Sequence, residues 1–600
     1  DQNGYLELAH EMVLRTGRVD AARRLVEGHD GGLDPPERLR RLEVAMLTAD
    51  GDLAAARRAL EAERPRRHAR YSRQYISVLA GLGDAAGIID YLDSTAHGLE
   101  DPELAVHRFD ALAILGRMDE ALVVVEDGLR AHPRNGAFFQ RYRDLAAELG
   151  EPARVDDVLI ELTSVSTTMD EQLDVLTAQL FDLDRIDEIL EIAGDPQLSW
   201  KVGPIGHYNI ARARYVRRQC DEAELAIDRL AGSVRVWDGE MLRSLISFVR
   251  GVFVSALDHR RRHRRPGPPL DEVEYHVRLH QRDYDAAFGM YVAEEDERRL
   301  TAVFGERAEV RSSFPAVASR AVIVQGGPGD EIQLASTYPY LGSQGHLIAT
   351  CDPRLESLFR RSFPGADLLP ATRARSRRHF GFLEDGPPRA ANELYDLLTH
   401  DAWRQVDACN RVALGRSLQQ LSDRPNGGSP YNAYLPPDPA LVDGMRARLG
   451  AQHPAIGLVW RSEFNDAMRS IHYLTVDELA PLTTADARIV CLQHDATLEE
   501  RQGLDRLFPG RVRYLDDLDM RDDFEVAAAM VASLDAVVGV GTTIVELAGA
   551  VGTPAVLIQP TLFGAWRSTA SSGSDYWCRS ARVAAVGAPT HRDAGVSPPT

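Results

Sequence analysis

Residues Ala536 to Pro560 read AVVGVGTTIVELAGAVGTPAVLIQP. The apolar run Ala536 to Val540 predicts a buried parallel strand, which stops at Gly541-Thr542-Thr543. An apolar-periodic helix follows from about Ile544 to Val551. Gly552-Thr553-Pro554 ends it, and Ala555 to Ile558 predicts the next strand. The result is a β-turn-α-turn-β unit with two hydroxyls at the helix start and a carboxylate, Glu546, one turn inside. A helix N-terminus offers free N–H groups and partial positive charge, a natural seat for phosphate. The competing reading is that Thr542 and Thr543 only cap the helix.

Six hundred residues exceed one hydrophobic core and imply three to four domains. Hydrophobic content of 44% and charged content of 26% are those of a soluble globular protein, and no apolar run is long enough to span a bilayer. No leader is visible after Asp1. Cys220, Cys351, Cys409, Cys491 and Cys578 lack metal-like or disulfide-like spacing, so a reducing cytoplasm is expected and no metal site. A net charge of −21 argues against a nucleic-acid partner. The sole lysine, Lys201, lies in no glycine-rich phosphate loop, which excludes a Walker-type nucleotidase.

The first third repeats. Gly17-Arg18-Val19-Asp20-Ala21-Ala22 returns as Gly51-Asp52-Leu53-Ala54-Ala55-Ala56, Gly83-Asp84-Ala85-Ala86, Gly116-Arg117-Met118-Asp119-Glu120-Ala121 and Gly150-Glu151-Pro152-Ala153. Degenerate copies start at Asp184 and Arg218, and the intervals are 34, 32, 33, 34, 34 and 34 residues. That period is the tetratricopeptide signature of stacked helical hairpins, whose concave surface holds peptides or partners. The expected domains are a helical repeat array over 1–257, a linker and helical segment over 258–319 containing DHRRRHRRPGPP, a first α/β lobe with an inserted segment over 320–450, and a second lobe over 451–600. Strands are expected at Ala321 to Gln325, His346 to Cys351, Ile456 to Trp460, Ile489 to Gln493, Val512 to Leu515, Ala536 to Val540 and Ala555 to Ile558. Two doubly wound lobes imply a cleft at the carboxyl ends of their strands.

Several segments resemble the bacterial tetratricopeptide-containing glycosyltransferases, related to the O-GlcNAc transferase and heptosyltransferase type with a GT-B fold. They are GGPGDEIQLASTYPYL with CDPRLESLFRRSFPGA, YLPPDP, GLVWRS with RSIHYL, and DDFEVAAAMVASLDAVVGVGTTIVELAGAVGTP, spanning about Val322 to Trp566. The resemblance implies that Thr542 and Thr543 donate to diphosphate oxygens and that Glu546 accepts from ribose hydroxyls. It also departs from the pattern, because Gly541 stands where the O-GlcNAc transferases have histidine, and Tyr576-Trp577-Cys578 stands where relatives have a Pro-Trp-Tyr-Pro segment. By the same resemblance Asp330 is the general base; its other reading is an N-cap of the helix beginning near Glu331.

Arg461, at a predicted strand's carboxyl end, is the candidate cation for the leaving diphosphate. Arg469 and His472 are secondary candidates. Trp460 stacks on a base or closes the core, and Gln493 contacts nucleobase or phosphate or caps its strand. The acidic pair Asp522-Asp523 is read as a helix cap.

The function expected is an inverting, metal-independent transfer from a nucleotide-sugar donor, a co-substrate rather than a cofactor, to a hydroxyl of a protein acceptor held by the repeats. Family analogy makes flagellin or another surface protein the acceptor, and the repeats offer an oligomer contact. The alternatives are a non-catalytic adaptor and a transferase acting on a lipid-linked glycan.

Overall fold

The computed structural model describes residues 42–47, 53–61, 69–95, 101–132, 136–148, 154–158, 168–232, 236–262, 272–291, 300–310, 314–370, 400–421, 431–450, 454–484, 486–569 and 573–585, apart from 83, 302, 325 and 464–466. The repeat motifs at Gly17 and Gly150, the glycines Gly51 and Gly83, and most of the DHRRRHRRPGPP segment lie outside these residues. The described residues up to Thr168 belong to one compact unit and those from Met169 on to a second.

The first unit is helical: α1 (Leu53–Glu61), α2 (Ala69–Leu82), α3 (Ala85–Asp93), α4 (Pro102–Ile114), α5 (Met118–Ala131) and α6 (Gly136–Glu148). The motif's chemistry is visible at its turns. Asp84 caps α3 by accepting from the Gly87 N–H at 2.7 Å, and Gly116 ends α4 in the left-handed region at φ 72°.

Among the described residues the second unit opens with eight more helices: α7 (Met169–Asp182), α8 (Ile186–Gly194), α9 (Pro204–Val216), α10 (Cys220–Asp228), α11 (Val236–Val249), α12 (Phe253–Arg262), α13 (Glu272–His280) and α14 (Tyr284–Tyr291). They pair as hairpins, and a left-handed residue marks the turn inside each pair: Asp184, Arg218, Gly251 and Arg282. The first two continue the register read from sequence. The other two add hairpins α11–α12 and α13–α14, which carry the helical architecture past residue 257.

Two parallel sheets follow. The first comprises β1 (Ala308–Glu309), β2 (Ser319–Ile323), β3 (His346–Cys351), β4 (Ala366–Pro370) and β5 (Arg411–Leu414), in the order β1-β5-β2-β3-β4. The second comprises β6 (Ala455–Val459), β7 (Arg488–Cys491), β8 (Val512–Arg513), β9 (Ala536–Gly539), β10 (Ala555–Gln559) and β11 (Ala581–Ala585), in the order β11-β10-β9-β6-β7-β8. Every ladder is parallel. Parallel strands are covered on both faces, which explains their unbroken apolar runs. The winding reverses between β2 and β5 in the first sheet and between β6 and β9 in the second. Ligands of doubly wound sheets bind outside the carboxyl ends of the strands at such a reversal.

Helix α15 (Pro328–Ala335) leaves β2, α16 (Phe524–Ala532) precedes β9, α17 (Thr543–Val551) leaves β9 and α18 (Leu562–Ala565) leaves β10. Gly552 ends α17 at φ 89°, the left-handed position the sequence pattern required. Asp523 caps α16 through the Glu525 and Val526 N–H groups, both at 3.0 Å. The YLPPDP segment ties the sheets' helices together: the Tyr434 and Leu435 N–H groups donate to the Ala550 carbonyl at 2.9 and 3.0 Å, and the Tyr434 hydroxyl donates to the Ile332 carbonyl. One apolar core runs through both sheets and includes Leu279 and Phe288 of α13 and α14. A second joins α7–α13 to Ala467, Ile471 and Phe563 of the second lobe.

Candidate functional site

A cavity of 330 Å³ opens where the two reversal points face each other. All four strands flanking the reversals deliver residues to it. The turn after β2 supplies Gly327, Gly329 and Asp330, the segment after β5 supplies Gln419, the turn after β6 supplies Ser462, and the turn after β9 supplies Gly541, Thr542 and Thr543. Deeper in the helices come Gln333 and Glu546. Tyr275, Trp566, Arg567 and Trp577 close the wall.

Helices α15 and α17, one from each lobe, start at this cavity. Their first turns touch: a Cβ on Gly329 would lie 3.2 Å from Thr543 Oγ1 and 3.3 Å from its Cα. Glycine here lets two partial positive charges converge on one volume. Thr542 is the N-cap residue of α17, yet its side chain makes no capping hydrogen bond, and its hydroxyl oxygen is buried without a partner. A buried polar atom left unmatched costs free energy until something meets it. Gly541 is exposed, and a Cβ there would meet nothing nearer than 3.9 Å. Its lack of a side chain therefore leaves room in the cavity and answers no packing need.

Asp330 is at the α15 start, where Oδ2 accepts from the Gly327 N–H at 2.9 Å. The helix starts earlier than the sequence suggests, so Gly327 is the N-cap and Asp330, inside the first turn, reaches back to its N–H rather than being the cap itself; its other carboxylate oxygen remains for a second partner. Glu546 lines the same cavity but is only 9% exposed. Its oxygens accept from Arg567 Nη1 at 2.6 Å and Nη2 at 3.4 Å. Arg567 also grips Asp575, through Nε at 2.8 Å and Nη2 at 2.7 Å, and Asp575 takes the Cys578 N–H at 3.1 Å. A guanidinium has five N–H donors; four are placed by these bonds, and one on Nη1 is left.

Burial pushes the Glu546 carboxyl above its ordinary pKa; Arg567 opposes this, while the charges of Asp575 and Asp330 add to it. Burial also works against charge on Arg567, but Asp575 and Glu546 outweigh it and hold the guanidinium protonated. With both acids ionised the triad carries one net negative charge. The raised Glu546 pKa draws it toward neutrality.

The remaining sequence candidates fall elsewhere. Arg461 follows β6, yet it is not among the residues lining the cavity. Its Nε and Nη2 donate to Glu500 at 2.7 and 2.9 Å, and Nη1 donates to Asp495 at 2.6 Å. Trp460 is 1% exposed and its indole N–H donates to Glu500 at 2.9 Å, a core position. Gln493 is buried and its side-chain oxygen accepts from the backbone N–H groups of Trp460 and Arg461, the strand-end cap. Arg469 and His472 bound a short 3-10 turn. The His472 ring meets Phe563 edge to face at 5.1 Å, in a cluster where burial, seconded by His280 and His472, drives the His276 pKa down to about 3.

Arg567, Asp575 and Tyr275 were missed. The one local signal was a single arginine and a single aspartate flanked by aromatic residues, Trp566-Arg567 and Asp575-Tyr576-Trp577, after the last predicted strand.

No family model matches the chain. Among curated proteins it is similar to Protein FlbA of Caulobacter vibrioides, with 29% identity over 245 residues. That region is 40% of this chain and 38% of that protein, so the chain spans well under half the length of the curated relative it matches. Among solved structures it is similar to a glycosyl transferase family 9 protein from Veillonella parvula, at 11% identity, TM-score 0.31, and coverage of 46% of this chain and 88% of that one. It is similar to E. coli heptosyltransferase WaaC with ADP-2-deoxy-2-fluoro heptose, at 13% identity, TM-score 0.27, and coverage of 44% and 92%. A Thermobaculum terrenum O-GlcNAc transferase variant aligns over 78% of this chain and 85% of its own, at 13% identity and TM-score 0.27.

Proposed function

We propose that this chain is a GT-B-type glycosyltransferase that seats the diphosphate of a nucleotide-activated sugar between the N-termini of α15 and α17. The observation that carries the reading is the meeting of those two helix starts at both sheet reversals, around the buried, unpartnered Thr542 hydroxyl. Thr542 and Thr543 donate to phosphate oxygens. Glu546, with Arg567 behind it, accepts from the hydroxyls of ribose or sugar. Asp330 removes the acceptor proton through the oxygen that does not cap Gly327. The acceptor oxygen then attacks the anomeric carbon from the face opposite the leaving group, inverting it. The C–O bond to the diphosphate breaks, and its electron pair stays on the phosphate, stabilised by the converging N–H groups. The acceptor is a protein hydroxyl presented by a tetratricopeptide-like array in the cytoplasm, and turnover is insensitive to chelators.

The test is a calorimetric titration with UDP, GDP, ADP, CMP and dTDP sugars, followed by product analysis. At least one donor binds in the micromolar range, Thr542→Val weakens it about tenfold, the loss of one charge-assisted hydrogen bond, and Asp330→Asn keeps binding while transfer stops. Full affinity in Thr542→Val would remove the phosphate seat. A second reading, a non-catalytic binding module, draws on the internal pairing of Glu546 and Arg567, and donor binding with no hydrolysis or transfer would establish it.

A further inference from the structure

The last helical hairpin, α13–α14, is fastened to residues 562–568 of the second lobe. The His280 Nε2–H donates to the Leu562 carbonyl at 2.6 Å. The Phe563 ring sits among Phe248 at 4.5 Å, His276 at 5.0 Å and His472 at 5.1 Å. Arg282, at the turn between the two helices, donates from Nη1 to the Trp566 carbonyl at 2.9 Å and from Nη2 to the Ser568 carbonyl. The same hairpin places Tyr275 on the cavity wall.

Arg567 lies between the two carbonyls that Arg282 holds, and its own carbonyl accepts from the Tyr576 N–H at 2.6 Å. Three successive peptide groups are thereby fixed from outside, and a side chain on a fixed backbone has few directions to take. The direction taken brings the Arg567 guanidinium to Glu546 and Asp575 in the cavity wall. We propose that the α13–α14 hairpin is a third wall of the site and that Arg282 is a positioning residue. It clamps residues 566–568 so that Arg567 holds the Glu546 carboxylate and keeps one N–H for the bound phosphate. This rests on the phosphate reading above.

Arg282 is itself left-handed, at φ 63°, so Arg282→Gly keeps the turn while deleting the clamp, together with the Nη1 bond to the Tyr284 hydroxyl at 2.6 Å within the same hairpin. The experiment measures inorganic pyrophosphate binding to the full chain by calorimetry, together with thermal unfolding. Arg282→Gly is expected to weaken pyrophosphate binding about tenfold while the unfolding midpoint moves by no more than about 3 °C. Arg567→Lys, which keeps the charge but not the fork, is expected to weaken it to a similar degree. The double variant is then no weaker than the weaker single one, since both act through one guanidinium. Unchanged affinity in Arg282→Gly, or additive losses in the double variant, overturns the clamp and leaves the phosphate seat standing. A large drop in midpoint assigns Arg282 to folding alone and overturns it as well. No pyrophosphate binding by the unaltered chain overturns the phosphate seat, and the clamp with it.

Discussion

Arg461 and Arg567 belong to the same lobe, and each is gripped by two carboxylates: Asp495 and Glu500 around the first, Glu546 and Asp575 around the second. Burial opposes charge on both, and the acids outweigh it, so both pKa values are held above the ordinary arginine value. They differ in address. Arg567 faces the cavity; Arg461 is turned into its own lobe beside Trp460. Their acids differ as well. Asp495 and Glu500 keep 30% and 20% side-chain exposure, against 0% and 11% for Asp575 and Glu546. A strand-end arginine is thus no sufficient mark of a site; each guanidinium places four of its five donors, and what separates the pair is that Arg567 lines the cavity and Arg461 does not.

Removing each guanidinium sharpens the contrast most. Arg567→Met strands two buried carboxylates beside each other, and urea unfolding is expected to show a loss of about 3–5 kcal/mol together with loss of pyrophosphate binding. Arg461→Met is expected to cost about 1–3 kcal/mol, because its acids reach water, and to leave pyrophosphate affinity within about twofold. A tenfold loss there would place Arg461 in the site after all. Gly329→Ala tests the seat without touching either arginine. The added methyl pushes α15 from Thr543, and a tenfold weaker pyrophosphate affinity, about 1.4 kcal/mol, is expected with little change in unfolding.

The smallest effect concerns Glu546. Its folded pKa is raised from 4.5, so its contribution to stability is full below the unfolded pKa and is lost as pH rises through the folded one. At pH 7 it therefore burdens the empty protein. Glu546→Gln is expected to melt above the unaltered chain at pH 7 and to lose that advantage as pH falls to about 4. A variant less stable at every pH would mean that the ion pair with Arg567 outweighs desolvation.

The β9-α17-β10 unit was legible because its signals are local: an apolar run, a hydroxyl pair, a helix of suitable length, and a glycine where left-handed backbone is needed. The helix-start half of the cavity followed from it. The Arg567 triad was not legible, since its acids stand 21 and 8 residues away with no period to connect them. Strand position singles out Arg461, while the acids that occupy it lie 34 and 39 residues on. The repeats show the same limit. Arg282-Asp283-Tyr284-Asp285-Ala286-Ala287 keeps the motif's acid and both alanines with arginine in place of the glycine, but it follows an arginine-rich segment and a turn, Gly251-Val252, that lacks the acid, so no unbroken period leads to it.

The left-handed turns carry one further consequence, for how such a chain can change length. Asp184 and Gly251 suit left-handed backbone, whereas arginine pays about 1 kcal/mol to adopt it. Arg218 and Arg282 nevertheless occupy it, and both spend their guanidinium groups on the second lobe, Arg218 on the Tyr473 carbonyl and Glu478, Arg282 on the carbonyls flanking Arg567. Inserting or deleting a hairpin between these two turns would keep the motif in register and still pull one arginine from its carbonyls. Gain or loss of a whole repeat is therefore expected to be tolerated before Arg218, where array length can change while both anchors keep their place relative to the cavity.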